Sequence, residues 1–202
     1  MSNLFDLVGA RLVREIRKRR LPSRNPVQTE KWLLRCEKDP DSSVLGELAW
    51  DHVANLVWAQ GITYTLPGPA SMEALAVLRS RIEAQFHAAA PELLFALLSL
   101  HDGLSALPWT AFFSTQRILE YVSVLQDVDA SLLTIASSPS GNKAVLRIHP
   151  GGADDGCVYA FWHEDFRERG LKPIAPSVVE YLAVSEGAIL DTVEGHYEGP
   201  DS

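Results

Sequence analysis

Gly156-Cys-Val-Tyr-Ala-Phe-Trp-His-Glu-Asp-Phe-Arg-Glu-Arg-Gly-Leu-Lys-Pro-Ile-Ala-Pro-Ser-Val-Val-Glu-Tyr-Leu182 is the stretch that decides the fold. It reads as a buried strand, a charged crossing loop, a short second strand and a helix entered through a capped turn. Val158, Ala160 and Trp162 alternate with Tyr159 and Phe161, so both strand faces are apolar and both are expected to be covered. Ser177 followed three residues later by Glu180, just before Tyr181 and Leu182, has capping-box spacing, and Pro176 limits how the chain enters that helix.

Upstream of this stretch the period is also that of strands. Residues 131–136 and 143–148 flank Ser137-Ser-Pro-Ser-Gly-Asn142, which predicts a hairpin with a loop longer than two residues. The Gly-rich segment His149-Pro-Gly-Gly-Ala-Asp-Asp-Gly156 then leads into the quoted strand, and residues 172–175 form a short fourth one. Downstream, residues 189–202 are acidic and Gly-rich and are expected to be a flexible tail.

Before residue 131 the chain reads as helices. Leu4, Val8, Leu12 and Ile16 step by four, with Phe5 and Val13 beside them. Asn25-Pro26 with Gln28 starts a second helix carrying Trp32, Leu33 and Cys36. A third, from about Ser43 to Ala59, has Leu45, Leu48, Ala49, His52, Val53 and Leu56 as its stripe. His52 is read as a hydrogen-bonded core histidine. Leu66-Pro-Gly-Pro69 is read as a linker, so residues 1–66 are expected as a helical N-terminal extension and 67–188 as the main domain. Ser71 caps a fourth helix, and Pro91 opens a fifth that is nearly all apolar and therefore central. Gly103 closes it with a turn needing positive φ. Trp109, Phe112 and Phe113 are placed in a loop, and a sixth helix over 115–125. The fold class expected is α+β, with a mainly antiparallel sheet of about four to six strands packed with helices.

The 202 residues can bury a core without staples. Cys36 and Cys157, far apart and with no C-x-x-C spacing, are read as reduced thiols. With no leader pattern and no apolar run of membrane-spanning length, a cytoplasmic protein without an integral membrane segment is expected. Charge is uneven. Residues 1–38 carry ten Lys/Arg against four acids, a net +6, whereas residues 39–202 hold 8 basic and 22 acidic side chains, a net −14. The basic first helix either packs on the acidic body or docks on a membrane or an acidic partner. The acidic body disfavours nucleic acid and suits a basic partner.

Gly151-Gly152-Ala-Asp-Asp-Gly156 is no phosphate loop, because the lysine is missing and two aspartates would repel the ligand. His149, Asp154, Asp155, His163, Glu164 and Asp165 are the one grouping able in principle to hold a divalent ion or move protons, yet a charged rim on strand-connecting loops is a far commoner arrangement and is the reading taken. His101-Asp102 at a helix end reads as structural. No catalytic residue, metal or cofactor is expected.

Residues 70–185 resemble the SUKH superfamily, in particular its fungal cell-wall-assembly-regulator (Smi/Knr-type) branch and bacterial relatives. The resemblance rests on Pro91-Glu-Leu-Leu-Phe-Ala-Leu-Leu-Ser-Leu-His-Asp-Gly103, Gly156-Cys-Val-Tyr159, His163-Glu-Asp165 and Ala175-Pro-Ser-Val-Val-Glu-Tyr-Leu182. Departures are Asp102 for the usual Asn, Val178 for an aromatic, and Gln85-Phe-His-Ala-Ala-Ala90 for a Gly-x-x-Leu-Pro approach. Gly103, Gly156, Tyr159, Ser177 and Glu180 would be the structural signature. The resemblance implies a non-enzymatic binding domain, often an immunity protein that blocks a nuclease or deaminase toxin. A basic cognate toxin is therefore the expected partner, contacted by Asp127, Asp129, Asp154, Asp155, Glu164 and Asp165, with Trp109 as an anchor. A regulatory or scaffold protein, associated with the cell wall or a secretion system and acting through protein partners, is the alternative, and a metal-dependent enzyme using the His/Asp grouping is the remoter one.

Overall fold

The computed structural model describes residues 4–59, 61, 66–106, 110–138, 141–162 and 170–184, and the tail expected over 189–202 lies outside them. The fold is mixed α+β, and the helices at the chain's start precede the sheet. Helix α1 (Leu4–Arg19) buries Val8, Leu12, Val13 and Ile16, but Leu4, expected to open that stripe, is 61% exposed. Helix α2 (Pro26–Lys38) starts as predicted, with the Asn25 side chain accepting from the Gln28 N–H at 3.2 Å and proline in the first turn.

Helix α3 (Ser42–Ala59) buries Leu45, Leu48, Ala49, Trp50 and Val53, more than one stripe of its surface. It packs against α1 and α2 on one side, and on the other against α5 (Glu92–Leu100) and α7 (Val178–Val184). One apolar core therefore runs from Val8 to Ala183, shared by the helices on both sides of residues 66–69. The Leu66-Pro-Gly-Pro69 break is held over the end of α5. The Gly68 carbonyl accepts from the Asp102 N–H at 2.8 Å, and the Ala70 N–H donates to the Leu98 carbonyl at 3.0 Å. Trp50 ties α3 to α5 by donating its indole N–H to the Leu97 carbonyl at 3.0 Å.

Helix α4 (Met72–Phe86) is capped by Ser71, whose Oγ accepts from the Ala74 N–H at 3.1 Å. It packs on α5 and on α6 (Thr115–Tyr121). The sixth helix thus stops four residues short of its expected end, and turns follow it.

The six described strands form one antiparallel meander in chain order: β1 (Leu104–Ala106), β2 (Thr110–Phe112), β3 (Leu132–Ser137), β4 (Lys143–Arg147), β5 (Val158–Phe161) and β6 (Leu171–Ala175). The hairpin of β1 and β2 corrects the loop expected around Phe112, which ends a strand. Two three-residue strands are too short for alternation to register. Trp109 lies outside the described residues. Both faces are covered, as the alternation in β5 indicated. Val158 joins the main core, whereas Phe161 packs with Leu125, Leu132 and Val145, and Tyr159 and Leu171 lean on that second cluster. The outer edge at β6 carries exposed Lys172 and Pro173, which discourage addition of a further strand.

Candidate functional site

The acidic residues singled out in sequence meet where β4 ends and β5 begins. Gly156 and Cys157 both oppose Arg147. The Gly156 N–H donates to the Arg147 carbonyl and the Arg147 N–H to the Cys157 carbonyl, each at 2.9 Å. With Gly156 at φ +80° this is the bulge form that places a glycine in the left-handed region.

The Arg147 guanidinium is the cation of this corner. Its Nη2 lies 3.3 Å from Asp129 Oδ2, its Nε 3.1 Å from Asp154 Oδ2, and its Nη1 donates to Ser131 Oγ at 3.2 Å. The Nε contact is close, but its N–H is not aimed for a hydrogen bond, so that pair is held by charge alone. The guanidinium also stands over the Tyr159 ring, 5.1 Å from its centroid, and the Tyr159 hydroxyl donates to Asp154 Oδ2 at 3.1 Å. Tyr159 is thus the platform of this cluster as well as a strand residue. His149 Nδ1 is 3.3 Å from Asp154 Oδ1, and the His149 N–H donates to Asp155 Oδ1 at 2.8 Å.

Partial burial pushes the Asp129 carboxyl up, but the Ser131 hydroxyl and N–H together with Arg147 bring it below its ordinary value. Asp154 is likewise lowered: desolvation pushes it up, but the hydrogen bonds of His149 and Tyr159 and the charge of Arg147 together outweigh it. Burial and the hydrogen bond to Asp154 raise the Tyr159 phenol. One cation between two ionised carboxylates leaves the corner net negative, and Asp127 and Asp155 are exposed. Asp127, Asp129, Asp154 and Asp155 are therefore all described, but two of them face an internal arginine.

Glu164, Asp165 and His163 lie outside the described residues. Trp162 and Gly170, which flank their segment, stand at the opposite end of β5 from the His149–Gly156 loop, since β4, β5 and β6 are antiparallel. The length of that strand, roughly 13 Å at 3.3 Å per residue, separates the two ends. Among the described residues no group of three or more His, Cys, Asp or Glu side chains could hold a metal ion.

The remaining sequence candidates have structural contacts. His101 Nδ1 is 2.6 Å from the Pro67 carbonyl oxygen. Asp102 accepts from the Thr115 N–H at 2.7 Å and from its hydroxyl at 3.2 Å, placing a carboxylate at the start of α6. Gly103 has φ +85°, and a Cβ there would come within 2.6 Å of the Ser114 nitrogen. Ser177 and Glu180 are both buried. The capping box expected of them takes another form: the Ser177 hydroxyl donates to Glu180 Oε2 at 2.7 Å, and its oxygen accepts from the Glu180 N–H at 3.3 Å. The carboxylate turns to Arg11 instead of to the Ser177 backbone.

His52 is buried as expected, but its Nε2 finds no hydrogen-bond partner among the described residues, and burial, with the charge of Arg19, pushes the imidazole down to about 4. Cys36 and Cys157 are free thiols, and burial pushes Cys36 up to about 12. Sequence reasoning passed over Asn55. Its Oδ1 accepts from the Arg24 N–H at 2.9 Å, and its Nδ2 reaches Thr29 Oγ1 and Asp51 Oδ2, fastening α2 to α3. Asp51 and Asn55, polar residues one turn apart on the same face of a largely apolar helix, were the available signal.

The described residues contain no helix long and apolar enough to cross a membrane. The chain matches no protein-family model, and no curated protein is significantly similar to it.

Proposed function

We propose that this chain is a non-enzymatic protein-binding domain of the immunity type, which neutralises a basic bacterial toxin by direct contact. The observation that carries the reading is the corner around Arg147. Its one cation is held between Asp129 and Asp154 while Asp127 and Asp155 face outward, so the corner presents excess negative charge on a rigid strand-and-bulge frame. A nuclease or deaminase that grips phosphate is basic around its site, and such a surface meets it with gains in association rate and selectivity. The resemblance of residues 70–185 to the SUKH superfamily supports the same class of function. The test is co-expression with the product of a neighbouring toxin-like gene. Co-purification and rescue of growth are expected. A toxic neighbour that neither binds nor is neutralised removes the reading.

A second reading is a regulatory or scaffold protein docked through its N-terminal helices. It is favoured by the outer face of α2, where exposed Val27 and Leu34 stand among Lys31, Arg35 and Lys38. Both carboxylates on the flank of that helix, Glu30 and Glu37, are engaged by Arg17 of α1 at 3.1 and 3.2 Å. Deleting the N-terminal helices would not test this, because Leu12, Leu33 and Cys36 are core residues. Lys31→Glu with Lys38→Glu changes the face alone. Capture of an acidic partner that survives this double change would remove the second reading.

A further inference from the structure

A cleft of about 380 Å³ opens where the first turns of α1, the start of α5, the end of β4, the His149–Gly156 loop and the start of α7 come together. Its walls are apolar: Phe5, Val8, Leu93, Leu146, Ile148 and Val178. Leu4, 61% exposed, stands at its edge beside exposed Ala89 and Pro150. Two exposed carboxylates, Glu92 from α5 and Asp155 from the loop, belong to the lining, which includes no Lys, Arg or His. Three separate sequence signatures converge on this one place, through Pro91, Gly156 and Ser177. Gly156 holds φ +80° with open space where a Cβ would be, so it turns the chain at the wall without filling the cleft.

We infer that this cleft is an anchor pocket for a single large apolar side chain, such as Trp, Phe or Leu, that a protein partner presents between Lys or Arg residues. The proposal rests on the reading of a basic protein partner and adds the place and chemistry of its central contact. A concave apolar floor releases its water when an apolar side chain enters, and this is the setting in which one residue dominates an interface. The two carboxylates, unaccompanied by any basic lining residue, select the flanking charge: cations beside the anchor are attracted and carboxylates repelled. The walls come from α1, α5, α7 and the sheet, whose buried residues belong to one core, so the pocket is largely formed before binding. Asp155 follows Asp154 in the His149–Gly156 loop, so one loop carries acids of both places, the cleft on the Leu146–Ile148 face of the sheet and the Arg147 corner on the Val145–Tyr159 face.

The test uses the full chain and the peptide acetyl-Arg-Trp-Lys-amide, followed by methyl chemical shifts. Addition of the peptide should move the Val8, Leu93, Ile148 and Val178 methyls. Ala89→Trp, which plugs the mouth from an exposed position, should weaken binding at least about tenfold. Glu92→Gln with Asp155→Asn should weaken it about threefold or more and flatten its salt dependence. Unmoved methyls in the wild type, an Ala89→Trp variant that binds as well as wild type, or equal binding of acetyl-Glu-Trp-Glu-amide would each overturn the proposal. A toxin arm separates the two readings. If a toxin binds wild type and Ala89→Trp equally, the pocket is lost and the immunity reading stands. If the peptide enters the pocket but the neighbouring toxin is not bound, the immunity reading is lost and the pocket stands.

Discussion

Arg11 and Glu180 meet end to end across 169 residues: Arg11 Nε donates to Glu180 Oε1 at 2.9 Å and Nη2 to Oε2 at 3.2 Å. The pair joins α1 to α7. The carboxylate side chain is 6% exposed and the guanidinium 38%, so the bridge is half in water. Burial raises the Glu180 carboxyl, with Ser177 and Arg11 pulling the other way.

Arg11→Ala should leave that carboxylate buried without its cation and cost about 2 kcal/mol at neutral pH, below the range for fully buried pairs because water reaches Arg11. Its pH dependence has a definite sign. Removing Arg11 raises the folded-state carboxyl further, and such a group disfavours folding once pH climbs through its folded-state titration. The gap between wild type and variant should therefore narrow as pH falls toward the ordinary range of a glutamate. Urea denaturation at pH 7 and pH 4.5 checks this, and a gap that widens in acid would contradict it. Glu180→Gln, which keeps a partner for Ser177, should cost less than Arg11→Ala.

Asp102 and Gly103 lock the end of α5 to the start of α6. Gly103→Ala meets both a positive φ and the backbone of Ser114, so a loss above about 2 kcal/mol is expected. Gly61→Ala, at φ +71° with nothing near, should cost only about 1 kcal/mol. Asp102→Ala should cost about 1 kcal/mol through the lost cap, and Asp102→Asn less. Thermal midpoints of the four variants give the order.

Acid should weaken the fold through His52. Burial lowers its folded-state value from 6.5 to about 4, so the unfolded chain takes up the proton first as pH drops. This contribution is intact above about pH 7 and declines between 6.5 and 4, amounting to about 2 kcal/mol of lost stability at pH 5. His52→Leu removes the unpartnered Nε2 and should show a smaller loss between pH 7.5 and 5.0 than wild type. Equal slopes for the two proteins would place the imidazole in contact with water.

Arg147→Gln should expose the repulsion between Asp129 and Asp154. Their folded-state values are lowered, so the stability they confer is present above the usual carboxylate range and lost as pH falls through the folded-state values. The variant should be less stable than wild type at pH 7, and the difference from wild type should shrink near pH 3. Its association with a basic partner should be faster and more sensitive to salt, because the corner loses the Arg147 charge.

Much of the architecture was legible along the chain because it rests on local physics. The caps at Asn25 and Ser71, the glycine turn at Gly103, the apolar run of α5, the hairpin over 132–147 and the two covered faces of β5 each follow from a few neighbouring residues. Other features depended on residues distant in sequence. Two strands of three residues carry too little alternation to be seen. The partners of Asp129 and Asp154 could not be known until the strand register brought Arg147 between them. Asn55 and Trp50 were silent because what they bind lies on other elements.

Sequence by itself determined the α+β class, the sites of the turns and the contrast between a basic beginning and an acidic remainder, since dihedral preference, hydrophobic period and charge are properties of short stretches. Only the tertiary structure decided that α3 packs against both α2 and α5, that Glu180 faces Arg11, and that Pro91, Gly156 and Ser177 line one cleft. Those are distances between residues far apart in the chain, and they are set when the whole core closes and each buried polar group takes the partner then within reach.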